Sequence, residues 1–138
     1  MRTLVAILAD AAIAHPDGKL YMLGAGIEII KPPAFPYVHP SLSLACKIEF
    51  TVAESGRPWT IEVHPIDQDG QPFGATTSLQ VTPQRNPDHG HLPVSVQFVL
   101  NMQGIAFTRA GSNSFSVLVG GHEVASVPLH ILEPPSAQ

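Results

Sequence analysis

Residues 41–53, SLSLACKIEFTVA, alternate without a break. Leu42, Leu44, Cys46, Ile48, Phe50 and Val52 fall on one side, and Ser41, Ser43, Ala45, Lys47, Glu49 and Thr51 on the other. A period of two over that length is a strand with one face buried and one exposed. The pattern returns down the chain. Trp59, Ile61 and Val63 alternate with Thr60, Glu62 and His64. Val94, Val96, Phe98, Leu100 and Met102 form another row, then Phe115, Val117 and Val119, then Ala125, Val127, Leu129 and Ile131. Residues 73–81 are a weaker strand, rich in Thr and Ser. Proline contributes 14 of 138 residues, about twice the usual ~5%. That density excludes long helices and suits short strands with Pro-rich connections.

Turn chemistry separates the runs. His15-Pro16-Asp17-Gly18-Lys19 lies between two apolar stretches within residues 6–30. Asp17-Gly18 supplies the positive φ of a tight turn and Pro16 fixes φ before it. This predicts a hairpin pairing the first strand with the second. Gly24 and Gly26 interrupt the second strand, which marks a bulge or a close backbone approach. Gly120-Gly121 between two alternating runs is a strong hairpin signal. The predicted strands lie near 2–9, 19–30, 41–53, 58–67, 74–82, 93–102, 113–119 and 123–132. One sheet could not bury so many alternating faces, whereas two facing sheets can. The expected fold is all-β: an antiparallel β-sandwich of about eight strands, immunoglobulin-like or related. It forms a single domain over residues 1–132, with 133–138 as a disordered tail.

Charge narrows the function classes. Seven basic and eleven acidic residues give a net charge of −4, and charged residues are 13% of the chain, about half the usual ~25%. Nucleic acid is not the expected partner, because phosphate binding needs clustered Lys and Arg. No apolar run reaches the ~20 residues of a membrane span, so no membrane is expected either. Residues 1–14 imitate a signal peptide, with an apolar run and an Ala12-Ile13-Ala14 site. Asp10 cuts that run short and only Arg2 precedes it, so the reading is a first strand in a cytoplasmic protein, with a signal peptide as runner-up.

Sites of chemistry are few. Cys46 is the single cysteine; no internal disulfide is possible, and its place in the apolar row reads as a buried hydrophobe. Gly24-Ala25-Gly26 lacks the third glycine and the following helix of a dinucleotide fingerprint. Asp67-Gln68-Asp69-Gly70 imitates part of a calcium loop, but Pro65 stands where an acid is needed and Thr76 where the bidentate Glu belongs. A hairpin turn fits better. Trp59 reads as core, with ligand stacking as the other use of a lone indole. There is no G-x-S-x-G, Walker A loop or H-E-x-x-H, and the scattered carboxylates argue no glycosidase pair. Asp88-His89-Gly90-His91 is the one local histidine cluster. His89 and His91 offer two metal ligands, and a stable site needs a third and a fourth. Residues 31–40, KPPAFPYVHP, read as an extended crossing between sheets. Their alternative use is a surface strip presenting Phe35 and Tyr37 to a partner.

The opening ILADAAIAHPDGKLYMLGAG resembles a family of small bacterial proteins of unknown function. Their pattern is an apolar run with Asp-Ala, then D-G-K, then a strand ending in Gly. The matching positions are residues 9–11, 17–19 and 24–26. Residues 57–63 with 67–70, and residues 114–131, look like the same family. Gly120-Gly121 stands where an acidic residue then Gly is usual. The resemblance implies a β-sandwich and brings no activity, cofactor or functional residue. Sequence reasoning therefore expects a non-enzymatic interaction or structural module without a cofactor. It is expected to self-associate as a homo-oligomer or to bind a protein partner, because its outward faces carry Ser, Thr, Ala, Gln and Asn, with Ile66, Val99 and Leu118 among them. The alternative is a metal- or small-ligand-binding protein using the His89/His91 loop.

Overall fold

The alternating runs become ten strands in the computed structural model, which describes residues 1–136. They are β1 (Arg2–Ala9), β2 (Ala11–Ala14), β3 (Leu20–Leu23), β4 (Ile29–Ile30), β5 (Tyr37–Phe50), β6 (Trp59–Ile66), β7 (Thr77–Val81), β8 (Val94–Phe107), β9 (Gly111–Val119) and β10 (His122–Ile131). The fold is all-β, a sandwich of two sheets with a third, two-stranded layer. One sheet runs β1-β5-β8, the other β4-β10-β9-β6-β7, and β2-β3 stand apart as a hairpin. The pairings are antiparallel except for β4 beside β10.

Period two explains which side chains meet. Leu8 on β1 and Leu42, Leu44, Cys46, Ile48 and Phe50 on β5 point inward from the first sheet. They face Ile61 and Val63 on β6, Phe115, Val117 and Val119 on β9, and Leu129 on β10. Each fully buried large side chain contributes roughly 1.5–3 kcal/mol relative to exposure. Trp59 closes one end of this core: its ring lies 5.8 Å from that of Phe50, its Nε1 donates to the Glu54 carbonyl at 2.9 Å, and Arg57 stacks over it.

Several boundaries differ from the sequence expectation. The first strand does not pair with residues 19–30. It pairs with β5, Leu8 opposite Leu44, and the hairpin at His15–Lys19 is made by β2 and β3. The reason is a corner at Asp10. Its N–H donates to the Leu23 and Gly24 carbonyls, while Gly26 N–H donates to the Leu8 carbonyl. The expected strand 19–30 is split into β3 and β4, because Gly24 (φ 63°) and Gly26 (φ 98°) turn the chain between them. β8 runs through Gly104 to Phe107 rather than stopping at Met102, since β5 begins early at Tyr37, which lies opposite Phe107. Residues 133–136 follow β10 outside any strand; the last two residues of the expected tail, 137–138, lie outside the described residues.

Candidate functional site

The β2-β3 hairpin is apolar on both faces. Its turn is drawn tight by local polar groups: His15 N–H donates to the Lys19 carbonyl at 3.0 Å, Lys19 N–H to Asp17 Oδ1 at 2.9 Å, and Tyr21 Oη to Asp17 Oδ2 at 3.1 Å. The corner at Asp10 lays the hairpin over the outer face of the three-stranded sheet. Ala9, Ser43 and Ala45, which period two assigns to solvent, are buried there as a result. Gln97 on β8 fastens the turn, its Nε2 donating to the carbonyls of His15 (3.0 Å) and Lys19 (3.1 Å). Cross-strand pairs Ala11–Leu23 and Ile13–Tyr21 form the other face. That face is open to solvent, with Leu23 72%, Ile13 64% and Tyr21 50% exposed.

A second unfinished surface is the edge of the three-stranded sheet. β8 is paired by β5 on one side only. No backbone hydrogen bond from another described element reaches its far side. Beside it opens a cleft of about 340 Å³ between the two sheets, lined by Phe73, Leu100, Met102, Ile105 and Phe115. Phe73 wedges in from the β6-β7 connection, its ring 5.7 Å from Phe107 and 5.5 Å from Phe115. On the opposite side the seam is closed. There, Thr3 Oγ1 on β1 donates to the Val124 carbonyl of β10 at 2.7 Å.

The outer face of the five-stranded sheet is polar. His64 sits opposite Ser116. Its Nε2 is 2.8 Å from Glu62 Oε2 and its Nδ1 3.3 Å from Thr76 Oγ1. The buried Ser116 hydroxyl donates to Glu123 Oε2 at 2.6 Å. Both imidazole nitrogens are thus engaged away from Ser116, and the hydroxyl points to a carboxylate. A nucleophile must be hydrogen-bonded to its base, so the row is a cross-strand polar ladder.

The residues singled out from sequence fall as follows. His89 ends a short 3-10 turn, Pro87–His89, which is N-capped by the Asn86 side chain accepting from Asp88 N–H at 2.9 Å. His89 and His91 are both exposed. Among the described residues no group of three His, Cys, Asp or Glu side chains is placed to hold a metal ion. Phe35 and Tyr37 are half-buried and pack against the core, Phe35 in the segment joining β4 of one sheet to β5 of the other and Tyr37 as the first residue of β5. Val38 is a large hydrophobic side chain exposed there. Ile66, Val99 and Leu118 are half-buried rather than open. The two unfinished surfaces were not singled out from sequence. Their signals were present: apolar residues in every position of β2 and β3, and a 14-residue β8 without one charge.

Residues 4–132 match the model of a family of unknown function, DUF6941. The chain belongs to that family. No curated protein matches it. Among solved structures it is similar to part of a Pseudomonas fluorescens alkylpurine DNA glycosylase bound to DNA containing an abasic site analog. The identity is 12% and the TM-score 0.45, over 75% of this chain and 27% of the glycosylase chain. A likeness of that size carries no argument about this DUF6941 chain. Among the described residues no helix is long and apolar enough to cross a membrane.

Proposed function

We propose that this chain is a non-enzymatic protein-interaction module whose docking surface is the outward face of the β2-β3 hairpin. The observation that carries the reading is the apolar character of both hairpin faces. A strand that is apolar on both sides belongs between two layers, and the single chain supplies only one. Contiguous exposed apolar side chains rimmed by polar residues mark interaction sites. Tyr21 adds what such sites favour, a flat ring with a polar tip. The rim consists of Asp10, Asp17 and Lys19, all exposed. The protein acts in the cytoplasm on this reading. In support, the stretch that imitates a signal peptide supplies β1 and β2, with Leu8 and Ala9 wholly buried.

A photo-crosslinking amino acid placed at Tyr21 in living cells tests the proposal. The expected result is one discrete crosslinked protein species, lost when Ile13→Lys and Leu23→Lys are added. The same probe at Ser126, on the opposite face of the molecule, should give none. Equal labelling from both positions, or no discrete species from Tyr21, would overturn the reading.

A further inference from the structure

We infer that β8 is a homotypic docking edge, pairing antiparallel with β8 of a second copy to make a continuous six-stranded sheet β1-β5-β8-β8-β5-β1. Half of the backbone N–H and C=O groups of an edge strand point away from its only neighbour. Proteins guard long edges with Lys, Pro, bulges or a covering segment. Residues 94–103 have none of these: they read VSVQFVLNMQ, without a charge or a proline. The remaining edges are short or covered. β7 has five residues and β4 two, and β1 lies against β10.

A second copy fits this edge by symmetry and by charge. A two-fold axis perpendicular to the sheet makes the edge its own complement, and closes the assembly at two copies. Gly104, at φ +64°, ends the regular stretch that Pro93 begins. An axis through Val99 keeps residues 95–103 of both copies paired within that stretch. It sets Ser95 opposite Gln103, Gln97 opposite Asn101, Val96 opposite Met102 and Phe98 opposite Leu100. No like charges meet anywhere along the pair, because residues 94–103 carry none. On the inner row Val96, Leu100 and Met102 are only half-buried in the single chain. The pairing covers them and brings the two interior clefts face to face. An edge of about 3.3 Å per residue is narrow beside the ~800 Å² per partner of a stable interface, so the dimer is a reversible one, formed at micromolar to millimolar concentration. The inference stands apart from the hairpin reading, because variants of Ile13 and Leu23 leave β8 untouched.

Sedimentation equilibrium of the intact chain across that range tests it. The expected result is a mass rising from 14.7 kDa toward twice that value. Ser95 and Gln103 are exposed, so charges there are compatible with the fold. Ser95→Lys with Gln103→Lys places like charges across the axis and should weaken the dimer at least about tenfold. Ser95→Lys with Gln103→Glu places opposite charges there and should restore it, with circular dichroism unchanged in both. A wild-type mass that stays at the monomer value overturns the inference. So does a dimer that both double variants leave intact, or that both weaken equally.

Discussion

The carboxylate of Asp10 occupies the space that a side chain at Gly24 would need: a β-carbon built there would lie 2.7 Å from Asp10 Cγ. Gly24 also sits at φ +63°, where other residues cost roughly 1–2 kcal/mol. Gly24→Ala should therefore destabilise the chain by about 1–2 kcal/mol through the backbone, plus a smaller cost for displacing the exposed Asp10 side chain. Adding Asp10→Ala should recover the collision and leave the backbone cost. Urea denaturation of the two single variants and the double variant measures the coupling. Simple additivity would show that the two residues do not compete for space.

Gln97 holds the hairpin as a donor. Its Nε2 serves two turn carbonyls, while its Oε1 is buried without a partner. Gln97→Glu replaces that donor by an acceptor facing two acceptors. Each lost hydrogen bond is worth about 1 kcal/mol. The amides of β2 and β3 should then exchange with deuterium at least about tenfold faster, with the amides of β9 unchanged. Uniform acceleration would mean that the hairpin is not a separately opening unit.

Cys46 should be inert. Burial pushes its thiol up to about 12, and the thiolate is the reactive form. Labelling by an aromatic disulfide at mildly alkaline pH should follow the unfolding rate rather than pH. Immediate stoichiometric labelling of the native chain would contradict the buried position.

Asp67 gives the β6 turn an acid-sensitive contact. The Gln71 N–H donating to Oδ1 at 2.9 Å, then the Asp69 N–H and the Arg109 guanidinium, hold the carboxyl below its ordinary value. A depressed folded value stabilises the folded state above the unfolded pKa of about 3.9. That stabilisation is lost as pH falls through the lower folded value. Asp67→Asn should remove this part of the acid dependence, so that wild type and variant converge toward strongly acidic pH and differ at neutral pH. Parallel stability curves over the whole range would show that the contact contributes nothing.

How much of this was legible beforehand depends on the range of the interaction involved. β6, written as 58–67, is observed at Trp59–Ile66, and the Gly120-Gly121 turn joins β9 to β10 with φ of 59° and 82°. Both are local: period two and positive φ are properties of a few consecutive residues. The first hairpin was misassigned because its turn was legible and its partners were not. His15–Lys19 closes on Ala11–Ala14; Asp10 visibly interrupts the apolar run, but nothing local shows that residues 11–14 begin a separate strand paired with Leu20–Leu23.

The burial of Ser43 and Ala45 shows the same limit from the packing side. Alternation alone puts them in solvent, and the hairpin folded over β5 reverses that. His89 and His91 stood out by composition, but a metal site needs ligands from separate segments, and their neighbours in space are fixed only by the fold. By itself, the sequence determined the strand rhythm, the glycine turns, the reduced buried Cys46 and a two-sheet core. Tertiary structure alone decided which strands are neighbours. Strand order follows from contacts between residues far apart in the chain, and so does the position of β8 as an uncovered edge beside an open cleft.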